Sequence, residues 1–244
     1  MFELSISTTI DKQKYISDLH KKLFLEVKRD GGIAIKQNYR KRSYFALAVP
    51  ETKKEYYKSK LLEHIIFMII DDYKFNFFKE NLNLVKTGLI VEPFLKAISI
   101  FDADIDKDVI KTQVDLSGEV LVDSLFYFKL QMLLRRWQKT TDIINQNQIL
   151  ASNSSMIEVL KYLTRMSDNL VLSTEIYIGK RQLKINSLST AKCFKRDNGG
   201  SSNFLTEIVR LNPSKIKLKI GTNENDEVFE ILSQIFDDKI YVLS

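Results

Sequence analysis

The chain has 244 residues, 44% hydrophobic and 28% charged, with 37 Lys and Arg against 31 Asp and Glu. That apolar content supports a buried core and excludes a disordered tail. A single cysteine, Cys193, excludes an intrachain disulfide and a cysteine-ligated zinc or iron–sulfur centre. Two histidines, His20 and His64, leave little material for a histidine-ligated metal.

The net charge of +6 is unevenly placed: residues 1–90 carry 17 basic against 11 acidic side chains, whereas residues 91–244 carry 20 of each. A basic excess confined to one third of a chain can mark a nucleic-acid or anionic-membrane face, although lysines also solvate ordinary helix surfaces. The N-terminus shows no basic stretch followed by an apolar one, and the longest apolar run, Ile65 to Ile70, is far short of the ~20 residues that span a bilayer. A cytoplasmic protein without a membrane span is expected.

Phe2, Leu4 and Ile6 alternate with Glu3, Ser5 and Ser7, the signature of a half-buried strand. Thr9 or Asp11 is positioned to cap a helix bearing Ile16, Leu19, Leu23 and Val27, which Gly31-Gly32 ends. Ile33 and Ile35 open a second strand and Tyr44 to Val49 a third, joined through the basic turn Asn38–Arg42. Residues 51 to about 81 read as a mostly buried helix, with Leu62, Ile66, Ile69, Tyr73 and Phe77 at helical spacing, up to a break near residues 86–88. Pro93 suits the first turn of a helix carrying Phe94, Leu95, Ile98 and Phe101.

The longest helix is expected from Glu119 to Leu150. One stripe holds Leu121, Leu125, Phe128 and Met132, a second holds Val122, Phe126, Leu130, Leu133 and Trp137, and Asp123, Tyr127, Gln131 and Arg135 form a polar seam between them. Residues 152–155 cap a further helix through Met166. From Leu170 the pattern returns to strands at 171–178, 182–188 and 191–195. The loop 197–202 then leads into a short helix ending at Pro213, followed by a strand at 216–220, a helix over 228–236 and a strand at 240–243. The expected fold is α+β: a β-α-β-β module at 1–50, a helical bundle at 51–168 and an α/β region at 169–244, packed as one unit.

No motif carries a chemistry outright, and no catalytic residue, cofactor or metal site is assigned. Asp102, Asp104, Asp106 and Asp108 evoke a calcium loop, but Lys107 replaces the required glycine and Gln113 the bidentate glutamate, so a solvated turn is expected. His64 could share a helix face with Asp71 and Asp72 as an acid–base group, against the commoner role of a packed core histidine. Asp123 with Arg135 and Arg136 reads as charge pairing on a buried helix. Cys193 beside Lys192 and Lys195 reads as a small apolar strand residue rather than a reactive thiol, and Gly199-Gly200 as a flexible loop rather than a phosphate cradle. Lys36, Arg40, Lys41, Arg42, Lys53 and Lys54, interleaved with Tyr39 and Tyr44, are the candidate contacts to nucleic acid or another anionic surface.

Residues 94–102, the block Asp123-Ser-Leu-Phe-Tyr-Phe-Lys-Leu130 with Arg135-Arg-Trp137, residues 156–163, 205–216 and 231–240 together resemble the YtxC-like family of sporulation proteins. Leu125 stands where that family carries Phe, and the family's terminal cysteine pair is absent. The resemblance implies a soluble protein of endospore-forming bacteria connected with sporulation, with no assigned activity and so no catalytic residues to carry over. Protein partners of unknown identity are the first expectation and nucleic acid the alternative. The phenylalanine-rich bundle is also a candidate homo-oligomer face.

Overall fold

The computed structural model describes residues 1–84, 88–146, 152–168, 171–188, 190–221 and 226–243. Residues 86 and 87, the expected helix end at Leu150, and Leu170 lie outside them. The main elements run β1 (Phe2–Thr9), α1 (Gln13–Arg29), β2 (Ile33–Tyr39), β3 (Arg42–Val49), α2 (Lys54–Met68), α3 (Phe75–Asn81), α4 (Val91–Phe101), α5 (Ala103–Gln113) and β4 (Glu119–Leu121). They continue with α6 (Val122–Ser124), α7 (Gln131–Gln146), α8 (Asn153–Met166), β5 (Thr174–Gly179), β6 (Gln182–Ser187), β7 (Ala191–Lys195), α9 (Asn198–Leu211), β8 (Ile216–Gly221), α10 (Glu227–Ile235) and β9 (Ile240–Val242). The fold is α+β, as the sequence leads one to expect.

Two compact units form, Met1–Lys74 with Ala103–Gln138 and Phe75–Asp102 with Lys139–Ser244. The helical stretch 51–168 thus contributes helices to both. In the first unit the sheet order is β2-β3-β1-β4. Strands β1 and β3 pair antiparallel, with Ile6 opposite Phe45, and β2 and β3 do likewise, with Ile35 opposite Ala46. Helix α1 covers one sheet face with Tyr15, Ile16, Leu19, Leu23 and Val27, all buried against Leu4, Ile6, Phe45 and Leu47. It ends at Gly31, whose φ of +77° suits glycine; at Gly32 a Cβ would lie 2.6 Å from the Ala48 carbonyl, which forbids any other residue there.

The single helix expected from Glu119 is not formed. Glu119–Leu121 instead pairs parallel with β1, Ile6 opposite Val120, and a π-helical segment Leu125–Lys129 precedes α7. The stripe of Val122, Phe126, Leu130, Leu133 and Trp137 is buried as expected, whereas Phe128 is 80% and Met132 60% exposed. A second π-helical segment, Ile69–Lys74, follows α2.

In the second unit the sheet order is β7-β6-β5-β8-β9, with β5–β8 and β8–β9 parallel and the other pairs antiparallel. Ile176, Ile178, Leu183, Leu218 and the α9 residues Phe204, Leu205 and Ile208 form its core. Helices α8, α9 and α10 begin at side-chain caps, Ser152, Asp197 and Asp226, each accepting a backbone N–H. Residues 198–202, expected as loop, are the first turn of α9: Asp197 Oδ1 accepts the Gly200 N–H at 2.6 Å.

Candidate functional site

A concentrated set of polar side chains in the first unit gathers where β1 ends, β3 begins and α6 meets the π-helical segment Ile69–Lys74. Asp123 sits at its centre. Its Oδ1 accepts from Tyr73 Oη at 2.5 Å, Thr9 Oγ1 at 3.3 Å and Thr8 Oγ1 at 3.4 Å, and its Oδ2 takes Arg42 Nη2 at 2.9 Å. Arg42 also donates to Ser7 Oγ from both Nε and Nη2, at 3.2 Å. Lys12 Nζ lies 4.9 Å over the Tyr73 ring and 2.9 Å from Asp72 Oδ2, an ion pair whose angles fall outside hydrogen-bond geometry. Tyr15 Oη donates to Asp71 Oδ2 at 2.8 Å.

Burial first, and then the Asp71 carboxylate, push the Tyr15 hydroxyl far above the ordinary phenol range; burial and Asp123 do the same to Tyr73. Burial works against the Lys12 ammonium, but Asp72 outweighs it and holds that group above the usual lysine range. Both phenols therefore stay protonated donors, and cations and hydroxyls occupy the carboxylates. Such a network, three carboxylates held by two cations and by hydroxyl donors, fixes the end of the sheet.

A separate buried pair lies beside it. Lys74 Nζ donates to Asp106 Oδ2 at 2.6 Å, with both side chains fully buried, and Trp137 Nε1 donates to the same oxygen at 3.1 Å. Arg136 Nη1 stands 3.6 Å from Asp106 Oδ1. The aspartates at 102–108 are thus not a solvated turn: most of them lie in α5, and Asp106 faces inward because α5 presents every third or fourth residue to the core.

His64 is 6% exposed, its Nε2 2.9 Å from the Tyr15 carbonyl oxygen, to which it donates. Burial lowers its pKa to about 4, with the Tyr15 bond opposing. Asp71 and Asp72 go to Tyr15 and Lys12 instead, so the sequence-proposed acid–base trio does not assemble. Asp123 pairs with Arg42 rather than with Arg135 or Arg136, because the break at Leu130 takes the two arginines off its face. Cys193 is exposed on β7, its Sγ 3.4 Å from Gln182 Oε1, and does not pack as an apolar residue.

The six candidate basic contacts fall in three places. Arg40, with φ +53°, and Lys41 form the tip of the β2–β3 hairpin, the Arg40 guanidinium 5.2 Å over the Tyr39 ring, while Arg42 is held by Asp123. Lys36 donates to Ser17 Oγ of α1 at 2.6 Å, on the helix-covered face. Lys53 and Lys54 lie past the far end of β3, 3.5 Å from Asp30 and 3.1 Å from Glu51.

The outer face of this sheet, opposite α1, is open along β2 and half-exposed along β3. Ile33 and Ile35 are 59% and 54% exposed there, bordering a shallow groove of about 470 Å³ floored by Ser5, Ala46 and Ala48, with Glu3 and Glu119 at its rim. Toward the hairpin tip the same face carries Gln37, Tyr39 and Tyr44, as the register requires. The sequence singles out Ile33, Ile35, Tyr39 and Tyr44 but not Gln37, Ala46 or Ala48, and not the face that they share. The available signal was the alternation of Ile33, Ile35, Gln37 and Tyr39 beside the small residues Ala46 and Ala48.

No family model, curated protein or solved structure matches the chain. Among the described residues, no group of three or more His, Cys, Asp or Glu is placed to hold a metal ion, and no helix is long and apolar enough to cross a membrane.

Proposed function

We propose that this chain is a sporulation-associated cytoplasmic protein of the YtxC-like kind that works through contacts with other proteins, made on the outer face of the β2-β3-β1-β4 sheet. The observation that carries the reading is the exposure of Ile33 and Ile35 beside a floor of small side chains. Two exposed branched aliphatic residues two apart on one strand, beside a floor of small side chains, offer an apolar surface that a partner can cover. The sequence resemblance supplies the process. The test is capture by the tagged chain from sporulating cells, with Ile33→Glu/Ile35→Glu as comparison. Proteins recovered by the wild type and lost with the folded double variant support the reading; equal recovery by both overturns it.

A second reading rests on Tyr39, Tyr44, Arg40 and Lys41 at the hairpin end of the same face, where aromatic rings and cations combine as on single-stranded nucleic-acid platforms. It calls for binding to a single-stranded oligonucleotide that weakens steeply with salt, and whose salt slope falls in Arg40→Gln/Lys41→Gln. Binding that is absent at low salt ends this alternative.

A further inference from the structure

The π-helical segment Leu125–Lys129 and the start of α7 put a cluster of large apolar side chains into water. Phe128 is 80% exposed, Met132 60% and Tyr127 58%, while Leu125, Phe126 and Leu130 around them are buried. The wide turn is the cause. The Leu130 N–H reaches back five residues to the Leu125 carbonyl at 3.2 Å, and the three residues between the buried anchors, Tyr127, Phe128 and Lys129, are all exposed. An aromatic side chain with so much of its surface in water stands off the protein instead of lining a groove.

The charge beside these side chains is of one sign. Residues 124–141 carry Lys129, Arg135, Arg136 and Lys139 and no Asp or Glu. Arg136 is engaged at Asp106. Lys129 and Arg135 are exposed, and among the described residues neither has a carboxylate within ion-pair distance. Arg135 follows Met132 by three residues on α7, which puts the two on one face of the helix. A second copy docking through the same patch would bring two sets of these cations into one contact, because a two-fold interface is self-complementary. A lipid layer takes in protruding side chains without a preformed pocket. Apolar groups enter the headgroup boundary, and neighbouring cations stay with the anionic head groups.

We propose that residues 127–135 of the first unit bind reversibly to an anionic membrane surface, with Phe128, Met132 and Tyr127 entering the headgroup region and Lys129 and Arg135 pairing with the lipid head groups. The site shares no residue with the sheet face that carries the proposed protein contacts, and neither depends on the other.

The test sediments the full chain with vesicles of equimolar phosphatidylglycerol and phosphatidylcholine, and with vesicles of phosphatidylcholine alone, over a salt series. The expected result is binding to the anionic vesicles that falls as salt rises and is weaker on the neutral ones. At low salt Lys129→Gln/Arg135→Gln is expected to weaken binding about thirtyfold, each cation near such a surface contributing a factor of about five. Phe128→Ser/Met132→Ser is expected to weaken it about tenfold or more. All four positions are exposed, so both variants are expected to keep the wild-type Tm. Phe128→Trp locates the contact: on vesicles with brominated acyl chains its emission is expected to be quenched, above the unchanged signal of buried Trp137. That quenching stands without the other variants. No sedimentation with the anionic vesicles, binding unchanged in both double variants, or vesicle-bound Phe128→Trp without quenching overturns the proposal. So does a dimer of the full chain that Phe128→Ser/Met132→Ser dissociates, which would give the patch to a second copy.

Discussion

Asp106 and Lys74 are both fully buried, and the pair is joined by the Trp137 indole N–H. Removing one partner from such a pair is far more damaging than replacing both, since the desolvation cost remains while the attraction is gone. Asp106→Ala is expected to cost about 3–5 kcal/mol, seen as a lower urea midpoint, and Lys74→Met/Asp106→Leu to recover most of that loss. A double variant as unstable as the single one would show that the pair does not account for the effect. His64 gives a second expectation. Its pKa falls from 6.5 in the unfolded chain to about 4 in the fold, so below pH 6.5 the unfolded chain takes up a proton that the native state refuses. Stability is therefore unaffected by this group above pH 7 and declines as the pH falls toward 4. Between pH 7 and pH 5 the loss from this group alone is about 2 kcal/mol. His64→Gln is expected to flatten the pH dependence of urea unfolding by that amount; an unchanged slope would place the imidazole in contact with water.

Among the elements, the end of α9 is the most closely specified. Asn212 holds φ +35°, and its Nδ2 donates to the carbonyls of Thr164, Ser167 and Asp168 at 3.0, 3.1 and 3.2 Å. Asn212→Gly keeps the backbone conformation accessible and removes only the side-chain bonds, so it is expected to cost about 2 kcal/mol. Asn212→Ala adds the left-handed penalty of a Cβ, about 1 kcal/mol more. Equal thermal stabilities for the two variants would contradict that division. At the opposite end of the same helix, Asp197→Ala is expected to cost about 1 kcal/mol through the lost cap, read in the same unfolding experiment.

The same scale explains what local sequence could and could not reveal. The strand–helix–strand–strand opening was legible because its signals are local: alternation at Phe2 to Ile6, a three-and-four stripe on α1, and glycines at the stop. The π-helical segments were not, because each widens the turn beyond the 3.6-residue period on which stripe counting depends. Extrapolating through Leu125–Lys129 therefore puts Phe128 and Met132 on a buried stripe when both are exposed. Strand β4 was also illegible, since Glu119–Leu121 is extended only by pairing with residues 5–7, more than a hundred positions away. The polar network around Asp123 has the same origin. Its members come from β1, the turn residue Lys12, α1, β3, the π-helical segment Ile69–Lys74 and α6, and no short spacing records their meeting.

At the scale of the whole molecule, α1 closes one face of the first unit's sheet while the other face keeps its apolar residues in solvent. The solvated face of such a sheet is commonly polar. Here Glu3 and Glu119 line the groove beside Ile33 and Ile35, and Arg42 lies at the hairpin end of the same face. The network at Asp123, Arg42 and Tyr73 then reads as a support: it pins the end of β1 and the start of β3, and with them the register of the face. We propose that this face meets other proteins during sporulation. It is tested most directly by a photo-crosslinking residue placed at Ile35 in living, sporulating cells, with the same residue at Leu25, which is 73% exposed on α1, as the control. Discrete protein adducts at position 35 and none at position 25 are the expected result. Adducts that are equal at the two positions, or absent at position 35, would contradict the claim.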